Sequence, residues 1–184
     1  MPQAQYKEEL SNDYKDALIN LWTKFNSENV LSRKRIITAA RRFSLAHERH
    51  DWEDRIIDLL IAGEALFLSE QNEGELTHRL RLHAALFLSS ESADRKRIFD
   101  DMGLAYGLRS GIVHGSADLT KRIRKIEDLE VGQFGDEYRL REFIFRIQEY
   151  IRLSIFRMVM LASENPDQHP LVDWERRALG SDGH

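Results

Sequence analysis

The chain has 184 residues, long enough for one sizeable core, and its 42% hydrophobic and 32% charged content is that of a globular protein, not a disordered one. The absence of cysteine excludes disulfides, thiolate metal sites and a cysteine nucleophile, and fits a reducing cytoplasm. A formal net charge of -4 excludes whole-molecule attraction to nucleic acid, so any such contact has to be local.

The first residues, MPQAQYKEEL, contain no apolar signal region, and no apolar run approaches the ~18 residues of a membrane span. The expectation is a soluble cytoplasmic protein with no membrane partner. Prolines occur only at Pro2, Pro166 and Pro170, so the long middle has none to interrupt a helix. Ser11 to about Asn26 is predicted helical, with Leu18, Leu21, Trp22 and Phe25 on one stripe and Ser11 or Asn12 as N-cap. Ser32 to about His47 follows, carrying Ile36, Ile37, Ala40, Phe43 and Leu45. From Asp51 to Leu68 the pattern is apolar almost all round, as expected of a helix at the centre of a bundle.

A loop is read over Gln71–Gly74, then a helix from Glu75 to Leu88 with Leu76, Leu80, Leu82, Ala85 and Phe87. Ser92 is read as the cap of the next helix, which faces Ile98, Met102, Ala105 and Leu108 inward and ends in Arg109-Ser110-Gly111-Ile112-Val113-His114-Gly115. Gly115 stands where a left-handed residue would stop it. Asp118 to Val131 is predicted as a charged helix and Gly132–Gly135 as a loop. Asp136 to about Glu164 forms the longest apolar-periodic segment, about 40 Å if unbroken. Pro166 ends it, and Trp174 is expected to dock a short tail helix. No period-2 strand pattern or internal repeat occurs, so the fold class is all-α, an up-and-down helical bundle.

Arg109 and His114 carry the chemistry: a permanent cation able to clamp a phosphate through two parallel hydrogen bonds, and an imidazole able to accept and return a proton near neutral pH. Five residues apart on an ideal helix, they point about 140° away from one another. Three arrangements follow: the helix unwinds near Gly111, the site lies over the helix end, or a second protomer brings a second Arg and His. The simpler alternative is that His114 complements the negative end of the helix dipole while Arg109 pairs a carboxylate.

Glu64 and Asp58 interrupt the most apolar helix and need partners, for which Arg55, Arg79, Arg81 and Arg109 are candidates; a structural ion pair outranks an acid–base role. Arg33, Lys34, Arg35, Arg41 and Arg42 form one basic cluster, and Lys121, Arg122, Arg124 and Lys125 a second. Both are phosphate or RNA-binding candidates, although each alone is more simply a solvated helix face. His47 and His50 with Glu48 and Asp51 have a metal-compatible spacing but read as an exposed helix end, and His78 and His83 have no ligand set around them. No metal and no cofactor is therefore assigned. Phosphate-binding glycine loops, His-Glu-x-x-His and Gly-x-Ser-x-Gly patterns are all missing.

Three segments together, Asp54-Arg55-Ile56-Ile57-Asp58-Leu59-Leu60-Ile61-Ala62-Gly63-Glu64-Ala65-Leu66-Phe67, the helix Leu76 to Leu88, and Leu104-Ala105-Tyr106-Gly107-Leu108 leading into Arg109–Gly115, resemble the HEPN superfamily of helical domains, specifically its Apea-like branch. The resemblance covers the middle third to half of the chain. It implies a HEPN-like core over 51–165 within one domain spanning 1–184, with an N-terminal helical extension over 1–50 and a tail over 166–184. It further implies a homodimer in which two Arg/His motifs meet, and a metal-independent endoribonuclease of the kind found among cellular defence and stress-response proteins. Arg109 and His114 would then be the catalytic pair, supported by Ser110, Glu64, Asp58 and Tyr106. Ser110 replaces the Asn, Asp or His of many active relatives, which suits the Apea-like branch. Ser116 stands where one toxin group carries a modifiable Tyr, so no antitoxin partner is inferred. The alternative is a non-catalytic HEPN-like module that binds nucleotide or RNA or only dimerises.

Overall fold

Apolar side chains on several faces of a helix can be covered only if that helix is surrounded, and Trp52–Phe67 meets this requirement. A computed structural model describes residues 12–68, 75–115, 135–167 and 172–180, and every regular element among them is α-helical. In chain order these are α1 (Asn12–Phe25), α2 (Glu28–Leu31), α3 (Lys34–Glu48), α4 (Trp52–Phe67), α5 (Leu76–Leu88), α6 (Ser92–Val113), α7 (Gly135–Glu164) and α8 (Trp174–Ala178). Helix α4 touches α3, α5, α6 and α7, and buries Ile56, Leu59, Leu60, Ala62, Leu66 and Phe67 between them. None of the described helices is long and apolar enough to cross a membrane.

Arg49–Asp51 alone joins α3 to α4, a connection short enough to turn the chain back on itself. The two helices run antiparallel, since Arg35 reaches the carbonyls of Ala65, Leu66 and Leu68 while Arg42 reaches Asp58. Ile36, Ala39 and Ala46 of α3 belong to the same hydrophobic cluster as α4, as do Leu80, Ala84, Ala85 and Phe87 of α5. On α6 the inward set is Ile98, Met102, Ala105 and Leu108, all buried at the expected spacing. Helix α7 is unbroken over 30 residues and contributes Phe143, Ile144, Ile147, Ile151 and Val159.

Several expectations need correction. On α1, Leu21 and Phe25 pack against the core, but Leu18 is 54% and Trp22 69% exposed. Among the described elements the helix contacts only α2 and α7, which cover one edge of its apolar stripe. Leu76 of α5 and Phe156 of α7 are likewise exposed. Helix α2 was not anticipated, four residues being too few to show a period. Glu91, not Ser92, occupies the N-cap position of α6, because the turn before it is held by Ser89, whose Oγ accepts the Glu91 N–H at 3.0 Å. Likewise α3 starts after Arg33. Ser11, the loop Gln71–Gly74 and the segment 118–131 lie outside the described residues.

Helix C-termini leave carbonyls without intrahelical partners, and this chain covers several of them with arginines from other elements. Arg35 donates to the end of α4, with Nε to Ala65 O at 2.9 Å and Nη2 to Leu66 O at 3.1 Å. Arg157 Nη1 donates to Phe87 O and Leu88 O of α5 at 2.7 and 2.8 Å, and Arg33 Nη2 donates to Asn165 O and Pro166 O after α7, both at 3.1 Å. Arg55 reaches Arg49 O beyond α3 at 3.0 Å. The positive fork both donates hydrogen bonds and complements the negative dipole end.

A close approach on α6 depends on Gly103. A Cβ there would stand 2.5 Å from Arg81 Nε, so the missing side chain lets Arg81 lie across α6, donate to Phe99 O at 3.0 Å and cover the Phe99 ring at 3.8 Å.

Trp174 docks α8 as expected, stacked flat on His83 with ring centroids 4.4 Å apart, while Phe67 and Phe87 meet it edge-on. His83 is buried and its Nδ1–H donates to Phe67 O at 2.8 Å. Burial pushes the His83 imidazole below its ordinary value of 6.5, with the Arg79 and Arg35 charges adding to the effect and the Phe67 bond opposing it. Its folded pKa therefore lies below the unfolded one, and between the two the unfolded chain binds the extra proton. Stability supplied by neutral His83 is complete above about pH 6.5 and falls away as pH drops below it. We expect the denaturation midpoint of the His83→Asn variant to change less than that of the wild type between pH 7.5 and 5.5; equal slopes in urea melts would refute this.

Candidate functional site

Helix α6 delivers the Arg/His segment without interruption. Gly111 lies buried within the helix and Val113 is its last residue, so the chain does not unwind between Arg109 and His114. His114 forms the C-cap, its backbone N–H donating to Ser110 O at 3.1 Å, and Gly115 follows at φ +63° with its N–H on Ile112 O at 3.2 Å. The left-handed glycine stops the helix as expected. Among the described residues, sequence neighbours aside, none comes within 4 Å of where its Cβ would be, so the positive φ is what calls for glycine here.

Ser110, Val113 and His114 are exposed at this end. Arg109 sits one helical turn further in, its side chain 25% exposed, and Nη1 donates a hydrogen bond to Glu64 Oε1 from the last turn of α4. The Tyr106 ring lies 5.7 Å from the guanidinium carbon. The structure thus brings Arg109, Glu64 and Tyr106 together. Because the helix is regular, Arg109 and His114 keep their separation of about 140° around the axis. Of the three arrangements open at the sequence level, unwinding near Gly111 is overturned, since a buried glycine inside a packed helix keeps its hydrogen-bonded geometry.

Asp58 is not part of this group. Six residues before Glu64, it faces a different side of α4, roughly 120° away, where it is 2% exposed and takes Arg42 Nη1 on Oδ1 at 3.0 Å and Arg49 Nε on Oδ2 at 2.8 Å. Neither arginine was among the partners considered for it. Arg55 instead serves the end of α3, and Arg81 serves Phe99 O and Asp100. Asp58 raises the pKa of Arg49 through its hydrogen bond and its charge.

Of the first basic cluster, Arg33 and Arg35 donate to helix-end carbonyls, and the Lys34 side chain makes no hydrogen bond or ion pair among the described residues. Lys121, Arg122 and Arg124 lie outside the described residues. Both ring nitrogens of His47 are engaged, Nδ1 donating to Phe43 O at 2.8 Å and Nε2 accepting from Gln148 Nε2 at 3.1 Å.

A second polar group escaped the sequence reading. Asp101 of α6 is buried and accepts from Arg146 Nη2 and from the Tyr150 hydroxyl, both at 2.9 Å, which ties α6 to α7. Burial raises the Asp101 carboxyl against the pull of Arg146 and Tyr150, and burial next to Asp101 pushes the Tyr150 phenol up to about 12. The signal was present in the spacing: Asp101 falls between Ile98 and Ala105 on the inward face.

No family model matches the chain, and neither the curated proteins nor the solved structures provide a significant match.

Proposed function

We propose that this chain is a HEPN-type, metal-independent endoribonuclease acting as a homodimer, with Arg109 and His114 as its catalytic residues. The observation that carries this reading is the continuous C-terminal end of α6, which exposes His114 at its tip and holds Arg109 on its flank against Glu64 and Tyr106. One helix cannot aim both side chains at one phosphate from a single face. Two helix ends meeting across a dimer axis would place an arginine of one protomer beside a histidine of the other.

The His114 imidazole takes the proton of a ribose 2'-hydroxyl, and that oxygen attacks the adjacent phosphorus. Arg109 stabilises the charge gathering on the non-bridging oxygens. The bond from phosphorus to the 5'-oxygen breaks, and that oxygen takes a proton from the second His114 in its imidazolium form. The products are a 2',3'-cyclic phosphate and a 5'-hydroxyl, and one histidine ends protonated where the other began so. An acid and a base acting together give a bell-shaped pH profile. RNA is the partner, and a role in cellular defence or stress response follows from the resemblance.

The Glu64 contact favours a second reading, in which Arg109 is held neutralised and the module binds RNA or nucleotide, or only dimerises, without cutting. Incubation of the purified protein with single-stranded RNA oligonucleotides in EDTA separates the two. We expect fragments ending in 2',3'-cyclic phosphate and a rate that peaks within a broad pH series. Intact RNA at every pH would leave the binding module standing.

A further inference from the structure

Helix α1 is 14 residues long, and a helix of that length alone in water is marginal, so it depends on what packs against it. Its edge on the bundle is short. Leu21 and Phe25 meet the core and Lys24 bonds Ser163 and Glu164 at the end of α7, but every residue from Asp13 to Asn20 is exposed. The N-terminal half therefore stands off the bundle. Tyr14, Leu18 and Trp22 recur every four residues there and form one slanting ridge, with Ile19 beside it. Tyr14 is 67%, Leu18 54%, Ile19 63% and Trp22 69% exposed, a contiguous apolar patch and not scattered surface residues.

Charge narrows what can cover this ridge. Asp13 and Asp16 flank it with Lys15 between them, and the whole chain carries -4, so neither RNA nor an anionic lipid surface is drawn to it. The ridge does match itself. Tyr14 and Trp22 stand four residues to either side of Leu18, so a second copy running the opposite way sets each Tyr14 across from a Trp22. Reversal also brings the acidic first turn at Asp13 towards the basic last turn at Lys24 and opposes the two helix dipoles, whereas a parallel pair would set Asp13 against Asp13.

We propose that α1 docks on the α1 of a second copy of this chain, antiparallel, with Leu18 meeting Leu18 on the twofold axis. An aromatic side chain carries about 150–250 Å2, so the four exposed residues offer roughly 400–550 Å2 per copy and about 1,000 Å2 for the pair, the lower limit of a specific interface. The contact is accordingly weak and concentration-dependent. It is separate from Arg109 and His114, since among the described elements α1 touches only α2 and α7, and it holds whether or not the chain cleaves RNA.

The chain has no cysteine, so a single one introduced on α1 reports its own neighbour. Helices of about 2.3 Å radius packed roughly 8–10 Å apart bring facing Cα atoms to about 4–5 Å, within reach of a disulfide, while the two residues 14 of an antiparallel pair lie about 12 Å apart along the axis. Under mild oxidation of the full chain, Leu18→Cys should form a covalent dimer and Tyr14→Cys should not. In sedimentation velocity over a wide concentration range, Leu18→Glu and Leu18→Lys should each weaken self-association about tenfold or more, and an equal mixture of the two should recover it, because unlike charges then meet on the axis. The proposal is overturned if Leu18→Glu leaves sedimentation unchanged, as it would for a dimer formed at α6 alone, if Tyr14→Cys cross-links as readily as Leu18→Cys, or if the mixture recovers nothing. Loss of binding to phosphatidylcholine vesicles or to a single-stranded RNA oligonucleotide as the sole effect of Leu18→Glu would overturn it equally.

Discussion

A variant lacking both Arg42 and Arg49 is expected to be less stable than one that also lacks Asp58. The carboxylate of Asp58 is 2% exposed, and its two oxygens are each met by a single guanidinium. Removing both arginines strands a charge inside the bundle with nothing to replace the water it gave up, which is the costly half of breaking a buried ion pair. Removing Asp58 as well leaves an apolar gap between α3 and α4 but no buried charge. The arginine side chains are 40% and 42% exposed, so in an Asp58→Ala single variant they can turn to solvent. The expected order of thermal midpoints is wild type, then Asp58→Ala, then the triple variant, with Arg42→Ala/Arg49→Ala lowest, roughly 6–12 °C below wild type. If the triple variant melts below the double, the pair acts through packing of the arginine stems and not through charge.

The second large effect concerns the α6 end. His114→Ala and Arg109→Ala should each slow RNA cleavage about a hundred- to ten-thousand-fold, the range over which a positioned proton acceptor and a charge-stabilising donor act. Mixing the two inactive variants tests the shared site directly. In the mixed dimer one protomer retains Arg109 and the other retains His114, so a site assembled across the dimer axis contains one of each. A site closed within one protomer would have no complete pair anywhere. Partial recovery on refolding the mixture is therefore expected for cleavage at the axis, and none for a site confined to one chain.

The helical architecture was legible because α4, α6 and α7 are long and strongly periodic, and Ile98, Met102, Ala105 and Leu108 needed only the 3.6-residue repeat to be placed inward. Periodicity says which residues share a stripe. It does not say how much of the stripe a neighbour covers, which is why Leu18 and Trp22 lie exposed beside the packed Leu21 and Phe25. At the site, the need of Glu64 and Asp58 for cations was evident from their apolar surroundings, and Arg109 was among the candidates. The partners of Asp58 were not, because Arg42 meets it only through the antiparallel packing of α3 on α4. For the Arg33–Arg35 cluster the charge was visible in the sequence. Its acceptors were not, since a helix-end carbonyl has no side-chain signature.

The arginines that close the ends of α3, α4, α5 and α7 also bear on how the molecule comes apart. A helix end bonded only to water can fray by itself, exchanging its amide protons while the rest of the fold stays intact. Here the last carbonyls of α4 are held by α3, those of α5 by α7, and those after α7 by Arg33 before α3. Opening any of these ends means parting two elements, so the cheapest local motions are suppressed and the threshold for losing a single turn approaches that for losing a helix pair. The tip of α6 is the contrasting case: among the described residues no arginine from another element meets its last carbonyls, and the helix ends at the left-handed Gly115 beside His114.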